Sequence, residues 1–260
     1  MSVTITHNAG FFSCCSVKLE NIVSYSNSHL KLPRVVDSSK QFQWYKQPGH
    51  KDITYEYFEH PDRLPSVEIM QPINLGHQFK NYSTLEYAAI GPVVQKYFSP
   101  STQIQELVKM IEAKYAVDSA NVCVLFYRGN DKKTETPLPT YEDYVEYSKR
   151  ILAANPAIKF LIQSDETEFI ELFTSLYPAN SFYFKDEIRH IKKCNSTVDK
   201  ELKDQNYLFS KYYLAITLIM AKCKYLVCGS GNCSFWIALY RGSAHNVYQH
   251  LETRWIEPPA

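Results

Sequence analysis

The sequence predicts an α/β protein whose C-terminal part is a parallel, doubly wound sheet. Three observations predict this. Val122-Cys123-Val124-Leu125-Phe126-Tyr127 and Tyr225 to Cys228 are unbroken apolar runs, and Ile158 to Gln163 is a third strand-like segment around Phe160-Leu161-Ile162, as strands buried on both faces are. Segments with apolar residues at helical spacing lie between them. From Ser99 onward the order is β-α-β-α-β-α, the rhythm of parallel strands joined by crossover helices.

The N-terminal part reads as a smaller α/β unit. Val3-Thr4-Ile5-Thr6 alternates as a strand, His7 to Ser13 turns, and a helix starts near Ser13 with Val17, Leu19, Ile22 and Val23 at mostly helical spacing. Pro33 to Asp37 is a second short strand. Residues 41–80, rich in aromatics, Pro and His, carry no long period and read as loops and short elements forming one wall of a cleft or a packed surface. Residues 85–98 are helical in part, interrupted at Gly91-Pro92 because a proline inside a helix removes a hydrogen bond.

Ser99-Pro100-Ser101 is a boundary suited to capping the next helix, whose apolar face holds Ile104, Leu107, Val108 and Ile111. After the 122–127 strand come a helix over 141–155, the second strand, a helix over 168–176, a short strand over 181–184 and a charged, exposed loop over 192–206. A helix over 208–223, the third strand, a turn at Gly229 to Ser234 and a helix over 235–240 complete the pattern. The expected division is 1–98, an N-terminal α/β domain; 99–240, a Rossmann-like domain; and 241–260, a tail packing back on the first. Two such units facing each other place a cleft between their strand-end loops.

Composition narrows the partners. The 260 residues are 45% hydrophobic with a formal net charge of +1, so no bulk attraction to nucleic acid or to a membrane surface is expected. No apolar run reaches membrane-span length, and the first residues lack the basic and apolar regions of a signal peptide. The seven cysteines include no C-x-x-C pair and several lie in strand-like runs. Reduced, buried thiols in a cytoplasmic protein are the expectation, with no metal site.

The chemistry is expected at strand ends. Val122 to Tyr127 runs into Arg128-Gly129-Asn130-Asp131-Lys132: an arginine able to grip an anion, followed by a glycine that permits close backbone approach. Taken alone, this is equally a solvated surface turn. The Gly229 to Ser234 turn opens a helix, whose free N–H groups and dipole attract anions, and Ser230, Asn232 and Ser234 add polar side chains.

The series YRGNDKKTE, QSDE and CGSGNCS resembles the GDP-fucose-dependent group of α-1,6-fucosyltransferases, nodulation fucosyltransferases and protein O-fucosyltransferases. That group has a GT-B-like pair of Rossmann-type domains, a strand followed by H-x-R-x-x-D-K, and a later polar strand-to-helix turn. The sharp part of the likeness spans about forty residues; the N-terminal segment Asn8, Gly10, Phe11, Phe12 and Ser13 matches the group's opening loop more loosely. The resemblance implies that Arg128 grips the donor diphosphate, that Asp131 and Lys132 hold the loop, and that Glu135 of Thr134-Glu135 is the catalytic base, or a solvated carboxylate displaced by the one-residue offset. It further implies donor contacts from Gly129, Ser230, Gly231, Asn232, Cys233 and Ser234, with residues 99–240 binding the nucleotide sugar and 1–98 on the acceptor side; Asp165 or a backbone group is expected to substitute for the acid by which relatives contact guanine.

Two positions depart from the group. Phe126 stands where the motif has histidine, and the helix segment Leu214 to Met220 has no acid where relatives contact guanine. The expected function is an inverting, metal-independent transfer of fucose from GDP-fucose to a glycan or other hydroxyl acceptor, with no cofactor. Another nucleotide sugar and a non-catalytic nucleotide- or glycan-binding role stand beside it. Neither G-x-G-x-x-G nor G-x-x-x-x-G-K occurs, which disfavours an oxidoreductase or kinase.

Overall fold

The structure, a computed structural model, describes residues 2–258. Strands β1 (Ser2–Thr4) and β2 (Val35–Asp37) pair in parallel and are joined by helix α1 (Phe11–His29). α1 begins at Phe11 rather than near Ser13. Its buried residues, including Phe11, Cys15, Lys18, Leu19 and Ile22, cover a broad face, while Glu20, Asn21, Ser24 and Ser28 line an exposed one. It is therefore a helix with a wide core-facing side and one side in solvent.

The 41–84 segment has little regular structure: single 3-10 turns and the one-turn helix α2 (Thr54–Tyr57). Phe42, Tyr45, Tyr57, Phe58 and Tyr82 of this segment are core, while Trp44 and Tyr55 are exposed. The Phe11 ring lies 5.3 Å from Phe42, 5.8 Å from Tyr45 and 4.8 Å from Tyr57, within the range of favourable edge and tilted contacts. Helix α3 (Tyr87–Phe98) runs straight through Gly91-Pro92, contrary to the expected break. Pro92 costs the hydrogen bond to the Ala88 carbonyl, but both residues are exposed, so water satisfies that oxygen.

Helix α4 (Thr102–Lys114) is capped by Ser101, whose Oγ accepts from the Ile104 N–H at 3.4 Å. There follow β3 (Val122–Tyr127), α5 (Tyr141–Ala154), β4 (Lys159–Ser164), α6 (Thr167–Leu176), β5 (Ser181–Phe182), α7 (Val198–Glu201), α8 (Asn206–Lys222), β6 (Tyr225–Gly229), α9 (Asn232–Arg241), β7 (Val247–Leu251) and β8 (Arg254–Ile256). A reciprocal Thr140–Asp143 capping box starts α5, satisfying two otherwise unpaired donors.

The six-stranded sheet has the order β5-β4-β3-β6-β7-β8, parallel except for β8. Counted along the chain this is 3-2-1-4-5-6. The strand order reverses between β3 and β6, and the crevice at their carboxyl ends is where such sheets bind ligands.

Three regions differ from expectation. The 192–206 loop contains α7 and a 3-10 turn. The strand expected over 181–184 is only two residues long. Residues 241–260 include β7 and β8, which extend the sheet; Gln249 of β7 also accepts from the Tyr82 N–H at 2.8 Å and donates to the Lys80 carbonyl at 2.8 Å. One buried apolar cluster runs from Phe11 to Val247 across both halves of the chain. All seven cysteines are free and six are buried. Among the described residues no helix is long and apolar enough to cross a membrane.

Candidate functional site

Arg128 leaves the carboxyl end of β3 and is held from three sides. Its Nε donates to Asp165 Oδ2 at 3.0 Å, Nη2 to Asp131 Oδ1 at 3.3 Å and Nη1 to the Tyr213 hydroxyl at 3.4 Å. The parallel pairing of Tyr127 with Ser164 brings Arg128 beside Asp165. Burial alone would lower the guanidinium pKa, but Asp165, Tyr213 and Asp131 hold it well above its ordinary value, so the group is a fixed cation. Its side chain keeps 30% exposure, and that face meets a cavity.

The following loop is locked by buried polar contacts. The Gly129 N–H donates to Asp165 Oδ1 at 2.9 Å and the Asn130 N–H to Glu166 Oε1 at 2.7 Å. Tyr141 donates its hydroxyl to the other Glu166 oxygen. Asn130 takes a positive φ of 23°, a conformation asparagine tolerates, and its side chain bridges the Asp165 carbonyl and the Cys194 N–H. A Cβ on Gly129 would lie 2.0 Å from Glu166 Oε1. Gly129→Ala is therefore expected to cost about 2 kcal/mol or more, read by chemical denaturation. Parent-like stability would mean that Glu166 swings aside freely.

Lys132 crosses toward the second anion element. Its Nζ pairs with Glu135 Oε2 at 2.6 Å, and its Cε would lie 3.0 Å from a Cβ on Gly231; glycine there permits the approach. The Gly229–Ser234 turn is anchored from the N-terminal half. The Tyr82 hydroxyl lies 2.8 Å from Ser234 Oγ and 3.3 Å from the Gly231 carbonyl. Ser16 Oγ donates to Asn232 Oδ1 at 2.7 Å and accepts from Trp236 Nε1 at 3.0 Å. The N–H groups of Asn232, Cys233 and Ser234 open α9, where intrahelical partners do not exist. They are the donors left at the end of β6.

A cavity of about 370 Å³ joins these pieces. Its walls include Gly10 to Ser13, Arg128, Asp131, Lys132, Glu135 and Gly229 to Ser234. Five sequence-based assignments sit differently. Asn8 is not on the wall; its Oδ1 accepts from the Gln43 N–H at 2.8 Å. Gly129 is covered by Glu166. Asp165 lies behind Arg128, positioning it. The Ser230 hydroxyl donates to the His250 carbonyl at 2.7 Å and the Ser234 hydroxyl to the Gly229 carbonyl at 2.7 Å, so neither is free to donate to a ligand. The Cys233 thiol is raised to about 11 by burial, against the pull of Tyr213 and Arg128, and stays protonated at neutral pH.

Trp44, from the aromatic 41–80 segment expected at a cleft wall, lines the cavity. The sequence reading did not single out Gln78, Tyr213 or the Thr197-Asp199-Lys200 edge, which also line it. Tyr213 stands in an apolar and aromatic stretch without a local motif, and the 197–200 edge depends on the fold of a loop. Among the described residues no group of three or more His, Cys, Asp or Glu side chains is placed to hold a metal ion.

The sequence matches no family model and no curated protein sequence. Among solved structures, the fucosyltransferase NodZ from Bradyrhizobium superposes over 99% of this chain and 99% of its own, at 11% identity and a TM-score of 0.55. Its selenomethionine form gives 11% identity and 0.53 over the same coverage. NodZ α-1,6-fucosyltransferase soaked with GDP-fucose matches at 9% identity and a TM-score of 0.42, over 67% of this chain and 54% of that one; by that match the chain spans about half of the neighbour's length. At such identities the likeness establishes the fold alone. The chain has a fucosyltransferase-like α/β fold.

Proposed function

We propose, from that fold, that the chain is an inverting glycosyltransferase using a nucleoside diphosphate sugar, with GDP-fucose the donor favoured by the likeness. Residues 1–98 and 99–240 would then be two Rossmann-like units in a GT-B-like arrangement, the C-terminal one doubly wound. The carrying observation is the juxtaposition of Arg128 with the start of α9 across one cavity at the β3/β6 reversal. A fixed guanidinium and a helix N-terminus converging on one space suit a diphosphate.

In the reaction, an acceptor hydroxyl attacks the anomeric carbon from the face opposite the nucleotide, and the bond to the diphosphate breaks with inversion. Arg128 and the α9 N–H groups stabilise charge growing on the leaving oxygen. Glu135, beside Lys132 and on the cavity wall, removes the acceptor proton. No metal or cofactor has a part in this reading. The acceptor, a glycan or other hydroxyl compound, would approach past Trp44. The free cysteines support a reducing, cytoplasmic setting.

A thermal-shift screen with GDP, UDP, ADP and dTDP, followed by nucleotide release from sugar donors, tests the class. Absence of any nucleoside diphosphate response defeats it; a response to UDP without GDP replaces the fucose assignment. Glu135→Gln should lower turnover by about 10²–10⁴-fold while nucleotide affinity changes little. Unaltered turnover would return Glu135 to the role of a loop ion pair with Lys132; nucleotide binding with no turnover by the parent chain would favour a non-catalytic binding protein.

A further inference from the structure

Beyond Arg128 lies a second cavity of about 70 Å³, and its wall includes Phe126, Arg128, Gln163, Phe209 and Tyr213. Phe126, Arg128 and Tyr213 also line the larger cavity, so the two spaces meet at the guanidinium. At about 10–15 Å³ for each enclosed water, the smaller one holds roughly five water-sized positions, the scale of a six-membered heterocycle. Its rings offer aromatic faces, and its floor is the paired β3 and β4 residues Phe126 and Gln163.

Gln163 is 5% exposed, yet its Oε1 has no hydrogen-bond partner. A buried amide oxygen left in that state is unfavourable, and the Gln163 side chain lines the cavity, where turning its amide presents either the oxygen or the nitrogen. The carboxylates around the cavity are already engaged. Asp165 holds Arg128 and the Gly129 N–H, Glu187 takes Lys114 and Tyr115, and Asp199 takes Arg189 and Tyr45. Gln163 is thus the wall residue with a buried side-chain atom that has no partner.

We propose that Gln163 reads the base of the nucleoside diphosphate whose phosphates Arg128 holds. This rests on the glycosyltransferase reading and deepens it. A primary amide presents one donor and one acceptor side by side, the complement of adjacent donor and acceptor atoms on a base edge. The assignment makes Gln163 a specificity-determining residue, and a carboxylate at the same point re-ranks the bases. Two acceptors suit the N1–H and N2–H₂ of guanine, but oppose a carbonyl of uracil or thymine and the N1 lone pair of adenine.

The experiment is calorimetric binding of GDP, UDP, ADP and dTDP to the full chain and to Gln163→Leu and Gln163→Glu. Gln163→Leu should weaken the preferred nucleotide by on the order of tenfold while its melting temperature stays equal or rises, because no orphaned oxygen remains. Gln163→Glu should shift the ratio of affinities toward GDP by about tenfold or more. If the leucine variant does not fold, Gln163→Asn, which withdraws the amide by one methylene, should show the same loss. Nucleotide binding with unchanged strength and ranking in all variants overturns the assignment alone and leaves Gln163 as the wall of a water-filled space. No binding by the parent chain overturns the glycosyltransferase reading as well.

Discussion

Arg128→Ala is expected to lower glycosyl transfer by about 10²–10³-fold, the size of effect found when one pre-positioned donor is removed from developing negative charge. Nucleoside diphosphate affinity should fall with it. Stability is affected too, because Asp165, with a side chain 6% exposed, loses its cation and keeps only the Gly129 N–H. Breaking such a pair from one side costs about 2–3 kcal/mol here, discounted because the arginine is partly exposed to solvent. The double variant Arg128→Ala/Asp165→Asn removes the stranded charge. It should recover much of the unfolding free energy and none of the turnover. Recovery of turnover in the double variant would mean that Arg128 acts by holding the loop and not by holding the diphosphate.

Lys18→Met is the second large effect, and it concerns stability. Lys18 is 3% exposed in α1, with its ammonium 5.7 Å from the Phe58 ring centroid and 5.2 Å from that of Phe98. Burial lowers its pKa from 10.5 to about 8, with Cys15 and Asp52 pulling weakly the other way. Between these two values the unfolded chain binds more protons at this site than the folded one. Its contribution to stability therefore rises with pH from about 8 to about 10.5, and below 8 the full penalty of a buried charge is present. Replacement by Met should remove that slope and stabilise the fold near pH 7 by up to about 3 kcal/mol, less what the two rings return to the cation. Urea unfolding of both proteins across this range gives the difference curve, in which the buried thiols cancel. An identical slope in the variant defeats the argument.

What could be read from the sequence follows a physical division. The β3 run is apolar at every position and all six residues are buried, so the strand and its terminal Arg128 were legible. So were α4, with its Ser101 cap, and the strand-turn-helix at Gly229. These depend on local period and local capping. What positions Arg128 was not legible. From the sequence, Asp165 reads as a donor contact that substitutes for the base-contacting acid absent from Leu214 to Met220. Only the β3–β4 register, which one sequence does not reveal, sets it beside the arginine. The β7 and β8 strands escaped because a buried position of β7 is Gln249, held by hydrogen bonds rather than by apolar contact. The continuity of α3 depended on which face Pro92 occupies. The base-side cavity needed the same three-dimensional information, since Gln163 is unremarkable in Phe160-Leu161-Ile162-Gln163-Ser164.

The bridge from Ser16 to Asn232 and Trp236 has a consequence for how the chain is made. The inner surface of α1 is completed by a helix more than two hundred residues later in the sequence. At translation rates of about 5–20 residues per second, α1 waits on the order of ten to forty seconds for α9. During that time the Phe12 and Ser16 side of the helix, which meets Trp236 and Asn232, has no native cover, and contacts of such long sequence separation are slow to form in any case. The N-terminal βαβ unit is therefore expected to become protease-resistant only after α9 has left the ribosome, and its exposed helix is the segment through which nascent chains would aggregate or engage a chaperone.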